Sequence, residues 1–210
     1  MQDKINVIDE KILKEAEEYI RGKFENELSD NCYFHNINHT MDVARNAEII
    51  GQQGHLNEEE LNTLRIAAMF HDVGYLEGHQ DHEQRSAAEV SKFLKSVGIN
   101  GAVIKQAERS ILATRIPQSP TDEVSKALCD ADLAHLGYED YFENMDLLRK
   151  EWKASGRAVM SKQEFNHMSV EFFSQHQYHT DYGKKVLEAR KEKNLARIRN
   201  IVNTQDDAAG

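Results

Sequence analysis

Apolar residues recur at steps of three and four along most of the chain. Between residues 8 and 28 they are Ile8, Ile12, Leu13, Ala16, Ile20, Phe24 and Leu28, one stripe of an amphipathic helix. A second helix is predicted from about His39 to Ile50, stopping at Gly51. A third opens at Asn57, with Glu60 placed as its capping-box partner, and runs to Phe70. Gly74 and Gly78 then mark a loop. Further helices are predicted over about 80–97, 101–114, 121–135 (capped by Thr121), 139–154, 161–176 (Ser161 with Glu164) and 181–202. Arg115 to Pro120 reads as a turn. No segment shows the two-residue alternation of a strand, so the fold class expected is all-α.

Composition supports that reading. The 210 residues include only 2 prolines and 11 glycines, leaving long stretches rich in Ala, Glu, Lys and Leu. That length suits a single domain over 1–203, with a core at about 30–136 and a helical extension at about 137–203. A disordered tail is expected over 204–210. No run approaches the ~18 to 20 apolar residues of a membrane span, and the start does not resemble a signal peptide. Cys32 and Cys129 are isolated, so a reducing, cytoplasmic setting is expected. The formal charge of -10 argues against a nucleic-acid polymer as partner. A small phosphorylated substrate stays compatible with it, because bound cations can invert the local sign. Nothing in the chain specifies an oligomeric state.

The chemistry concentrates in three segments. His71-Asp72 closes an apolar run, His35-Asn36-Ile37-Asn38-His39 lies upstream, and Asp130-Ala131-Asp132-Leu133 lies downstream. Adjacent His and Asp offer a nitrogen and a potentially bridging carboxylate, which suits a divalent cation. An aspartate beside so apolar a run is costly to bury unless paired or bound to metal. At 100° per residue, His39 shares the core side of its helix with Val43, Ala47 and Ile50. Asp132 lies about 80° from the centre of the Val124, Ala127, Leu128 and Ala131 stripe, and Asp130 lies about 120° away on the other flank. One site can use only one of them, and Asp132 is the better placed. The ligand set is therefore His39, His71, Asp72 and Asp132, with Asp130 a solvated or supporting group.

His35 precedes His39 by four residues, so on a continuous helix both would point the same way. It could be a fifth ligand or, as favoured here, a general acid. His82 and Glu83 could complete a second metal position or steer a water, and Arg85 could hold a phosphate. An ordinary charged first helical turn is the competing reading of that segment. His55, His135, His167, His176 and His179 have no ligand spacing to the set and read as surface or core residues. Trp152 and the basic final helix read as packing and a solvated face.

The order of His39, His71-Asp72 and Asp132 resembles the HD superfamily of metal-dependent phosphohydrolases. Phe34 to Val43 (FHNINHTMDV) is similar to the YHNxxHAxDV signature of class I cyclic-nucleotide phosphodiesterases, and Cys129 to Leu133 looks like their CADL segment. Glu83 to Ala87, Asp132 to Gly137 and Ala189 to Leu195 resemble a family of predicted bacterial HD phosphohydrolases. The resemblance implies an HD-domain helical bundle with additional C-terminal helices. It also implies that His35 protonates the leaving oxygen and that the four ligands hold metal. Arg85 and Asn38, the latter inside the signature, are the expected substrate contacts. Val73-Gly74-Tyr75 stands where the phosphodiesterases have their HDxDHPG run, and no glutamine matches the one that clamps their purine.

The expected activity is phosphoester hydrolysis of a small phosphorylated substrate, such as a nucleotide or a cyclic-nucleotide-type phosphodiester. It would use one or two divalent ions (Mn, Fe, Zn, Co or Mg) to activate water. Two other readings fit the same ligands: a di-iron oxygenase and a non-catalytic nucleotide-sensing module.

Overall fold

The computed structural model describes residues 7–209, and among them there is no strand. Helix α1 (Glu10–Glu27) begins where the Asp9 carboxylate accepts from Ile12 N, and it buries Leu13, Ala16, Ile20 and Phe24. Helix α2 (Ile37–Gln53) starts two residues earlier than predicted, because Asn36 Oδ1 accepts from both Asn38 N and His39 N. It also runs through Gly51, which is no terminator. A Cβ at Gly51 would come within 2.8 Å of Leu61 and 2.9 Å of Leu64, so glycine there lets α2 and α3 approach. Helix α3 (Glu58–Phe70) has the predicted Asn57–Glu60 capping box. A 3-10 turn over Val73–Glu77 follows.

Helices α4 (His82–Ser96) and α5 (Ala102–Leu112) form as expected. Helix α6 (Glu123–Asp132) is capped by Asp122 rather than Thr121, and the chain tightens into a 3-10 turn over Leu133–Gly137 before His135 is reached. Helices α7 (Tyr141–Ala154) and α8 (Lys162–Gln175) follow, the latter with its Ser161–Glu164 box. The last predicted helix is a π-helical turn, Gly183–Leu187, leading into α9 (Glu188–Ala209). Helix α9 occupies most of the segment expected to be a disordered tail, and Gly210 lies outside the described residues.

Two hydrophobic clusters organise the bundle. The first is built from α1 to α6, with Ile20, Leu64, Phe70, Val90, Ile111 and Leu128 all buried. The second joins Phe34 and Leu136 to α7, α8 and α9 through Tyr141, Phe165, Phe173 and Ile198. The basic last helix is not wholly a solvated face. Lys191 is 1% exposed, with Nζ donating to His176 O (2.6 Å) and 2.7 Å from Glu188 Oε1. The candidate residues lie where the two clusters meet.

Candidate metal centre

Each of the four expected ligands is placed by a local structural event. His39 sits in the first turn of α2, fixed by the Asn36 cap. His71 and Asp72 come where α3 ends and the 3-10 turn begins. Asp132 is the last residue of α6. One ligand atom from each of the four lies within 4.8 Å of all the others. His39 Nε2 is 3.5 Å from Asp72 Oδ2 and 3.6 Å from Asp132 Oδ1. His71 Nε2 is 3.2 Å from Asp72 Oδ2 and 3.5 Å from Asp132 Oδ1.

The donor chemistry fits a divalent cation. His71 Nδ1 lies 2.7 Å from the Ala68 carbonyl, which can only accept, so Nδ1 carries the proton and Nε2 offers its lone pair to the cluster. His71 is fully buried, and among the described residues its Nε2 makes no hydrogen bond despite the nearby carboxylates. An orphaned acceptor among buried aspartates is what an ion would satisfy. The electrostatics agree. Burial alone would depress both imidazoles, but Asp132 and Asp72 outweigh it, raising His39 and holding His71 well above the ordinary value. The same contacts overcome burial for the carboxylates, holding Asp72 well below and Asp132 below the ordinary aspartate value. The two carboxylates thus call for positive charge between them.

Asp72 has a second face. Its Oδ1 lies 3.4 Å from His82 Nε2, and His82 Nε2 lies 3.6 Å from Glu83 Oε1. His82 Nδ1 is spent on His79 O (2.8 Å), so Nε2 is again the free nitrogen. The pair His82 and Glu83 therefore stands on the opposite carboxylate oxygen from the four-residue cluster.

His35 is not on a continuous helix with His39, because α2 begins only after the Asn36 cap. Its Nδ1 bonds Glu151 Oε1 of α7, and Glu151 Oε2 accepts from Phe34 N (2.9 Å) and His35 N (3.0 Å). Burial would raise the Glu151 carboxyl, but these bonds, with the His35 side chain foremost, hold it below its ordinary value. The His35 ring stacks on Tyr75 with centroids 3.8 Å apart and planes 9° apart. Tyr75 in turn meets His82 at 4.2 Å.

A cavity of about 550 Å³ opens over these groups, lined by His35, His39, Asp72, His82, Glu83 and Asp132. Its far wall comes from the second cluster, including Tyr141, Met145, Trp152 and Phe173. Asn38 faces a smaller space of about 130 Å³ shared with Asp42 and Asn46, away from His35 and His82. Arg85 does not line the large cavity. Its Nε donates to Gly74 O (3.1 Å), and a terminal nitrogen donates to Gly78 O, which ties down the loop after His71-Asp72.

Three residues have surroundings that differ from, or go beyond, the sequence expectation. His135 belongs to the site: it lines both cavities and lies 5.9 Å from the His39 ring, with Nδ1 2.9 Å from Asp132 O. Burial pushes it down to about 4, so it stays neutral. Its three-residue spacing from Asp132 was the available signal. Glu151 had no local signal at all. Asp130 is fully buried rather than solvated: it accepts from His179 N (2.7 Å), Thr180 N (2.9 Å) and Thr180 Oγ1 (2.6 Å). The flank that the wheel left to solvent is covered by the segment leading into α9.

Comparison with known proteins accords with this geometry. The HD domain family model matches residues 36–137. Three solved structures share the fold. One is a predicted HD superfamily hydrolase from an uncultured Thermotogales bacterium, at 21% identity and TM-score 0.58, covering 92% of each chain. The Lin1889 protein of Listeria innocua matches at 17% identity and TM-score 0.61, covering 91% of this chain and 94% of its own. A protein of Lactobacillus plantarum matches at 15% identity and TM-score 0.68, covering 96% of this chain and 98% of its own. No curated protein sequence matches. The HD domain match thus spans 102 of the chain's 210 residues, and all four candidate ligands, His39, His71, Asp72 and Asp132, fall inside it.

Proposed function

We propose that this protein is a metal-dependent phosphohydrolase that cleaves the phosphoester bond of a small phosphorylated molecule. The observation that carries the reading is the buried His39, His71, Asp72 and Asp132 cluster, with its orphaned His71 Nε2, at the floor of a large cavity. Such a site exceeds what a structural ion needs, because closed structural sites do not open onto a substrate-sized space. A divalent ion bound there supplies Lewis acidity, polarising a phosphoryl oxygen and acidifying water.

The chain's own residues supply the rest. With Nδ1 held by Glu151, His35 presents Nε2 as a proton donor to a departing oxygen. Tyr75 keeps that ring and the His82 ring in fixed planes. His82 and Glu83, on the outer oxygen of Asp72, are placed to orient water or a second ion. In phosphoryl transfer this positioning and charge stabilisation are most of the work. A nucleotide and a non-nucleotide phosphoester present the same group to this floor. The likeness to the Thermotogales protein, a predicted HD superfamily hydrolase, agrees with hydrolysis as the reaction class.

The test is a panel of nucleotides, cyclic nucleotides and p-nitrophenyl phosphoesters assayed with manganese. Phosphoester cleavage that stops with chelator and in His71→Ala is expected. Full metal loading without turnover, or dioxygen consumption by an iron-loaded form, would overturn the reading.

A further inference from the structure

Two arginines, Arg115 and Arg157, line the cavity over the cluster, and a third, Arg85, is spent on the loop beside it. Arg85 donates to the Gly74 and Gly78 carbonyls. Arg115 lines the cavity but lies 3.4 Å from the Asp81 carboxylate. Arg157, in the connection between α7 and α8, is different. It lines the same cavity, and among the described residues no carboxylate lies within ion-pair distance of it. Its guanidinium lies 4.4 Å over the Trp152 ring, and one terminal nitrogen is 3.4 Å from Tyr75 Oη.

Stacking on an indole holds a guanidinium by its face and leaves its edge N–H groups free to donate. Among the described residues only one of them finds a protein acceptor, and at 3.4 Å that bond is long. In a chain of net charge -10, an arginine without a carboxylate at the mouth of a cavity is conspicuous. Tyr75 connects it to the floor, since the ring that meets Arg157 through its hydroxyl stacks on His35 and meets His82 at a tilt. Arg157 is therefore one tyrosine away from the proposed proton donor, with a planar fork suited to a phosphate or carboxylate.

We propose that Arg157 is a specificity-determining residue that binds a second anionic group of the substrate, apart from the phosphoryl group held at the metal cluster. The substrate class is then a molecule with two separate anionic groups: a phosphoester carrying another phosphate or a carboxylate at a fixed distance. The inference rests on the phosphohydrolase reading of the cluster and adds the requirement for a second charge. Arg157 lies outside the residues matched by the HD domain model, so this selectivity belongs to the C-terminal helices.

Calorimetric titration of the manganese-loaded protein tests it. Suitable probes are methylphosphonate, alkane diphosphonates of increasing spacer, and the corresponding phosphonocarboxylates, none of which has an ester to cleave. One spacer length is expected to bind roughly tenfold to a hundredfold more tightly than methylphosphonate, the range for charge-assisted hydrogen bonds. The diphosphonate and phosphonocarboxylate arms tell which second anion is preferred. In Arg157→Gln the ratio of those affinities should collapse towards one, and Arg157→Lys should keep a good part of it. Methylphosphonate binding with no gain at any spacer, or a gain that survives Arg157→Gln, overturns the role of Arg157 alone. Failure of every probe, methylphosphonate included, overturns the phosphoryl site and this inference together.

Discussion

Glu151 of α7 receives the His35 imidazole and two backbone N–H groups, those of Phe34 and His35, on a single buried carboxylate. The second helical layer thereby sets the orientation of the proposed acid. Glu151→Gln should lower kcat about 10²-fold, the lower end of what general-acid catalysis contributes, while the protein keeps its metal. The loss should shrink for p-nitrophenolate, which departs without protonation. His35→Ala should show the same dependence on the leaving group. A loss equal for all leaving groups, or accompanied by loss of metal, would show that this pair serves the ion instead.

Metal content should follow the cluster. His71→Ala and Asp72→Ala remove a nitrogen and a carboxylate that meet on the same side of the site, so each variant should lose most bound metal. Elemental analysis after gel filtration measures this directly, with circular dichroism as the folding control. Equal metal in wild type and both variants would refute the site.

The two aspartates of α6 should fail in different ways. Asp132→Asn should cost metal and activity at near-normal stability, because its carboxylate faces His39 and His71. Asp130→Asn should cost roughly 2 to 3 kcal/mol in urea unfolding, since an amide cannot accept all three donors from His179 and Thr180. Gly183→Ala should resemble Asp130→Asn, because its Cβ would fall 2.2 Å from Asp130 Oδ2. A stable but metal-free Asp130→Asn would reverse the assignment.

Acid should weaken the fold through His176. Burial, then the Lys191 ammonium, push this imidazole from its ordinary 6.5 down to about 3, and among the described residues neither ring nitrogen has a hydrogen-bond partner. The neutral ring's contribution is fully present above about pH 6.5 and is lost as pH falls towards 3. His176→Phe, retaining contact with Phe172 and Tyr178, should lose less melting temperature between pH 7 and 4 than wild type. Parallel melting profiles would exclude His176 as a source of acid sensitivity.

Local patterns made much of this legible. Periodicity located the helices because each buries one stripe, and adjacency made His71-Asp72 conspicuous. The cap at Asn36 was also present in the sequence, and reading it would have shown that His35 stands outside α2. Other features depend on what packs against a helix from afar. The wheel puts Asp130 on the flank of the apolar stripe but cannot show that the segment around His179 and Thr180 covers that flank. Arg85 looked like a phosphate ligand because its charge is local information, whereas its consumption by two loop carbonyls is geometry. Glu151 and His35 are 116 positions apart, and no periodicity links them.

That separation sets an order of assembly. A chain emerging from the ribosome has displayed every residue of the candidate metal cluster once Asp132 is out, while Glu151 is still to be made and the partners of Asp130 come later still. On the proposed roles, capacity to capture a cation would precede capacity to steer a proton. An unfinished polypeptide would then have its ligands in hand with the proposed acid unaligned, and the proposed hydrolysis would wait for the closing helices to dock.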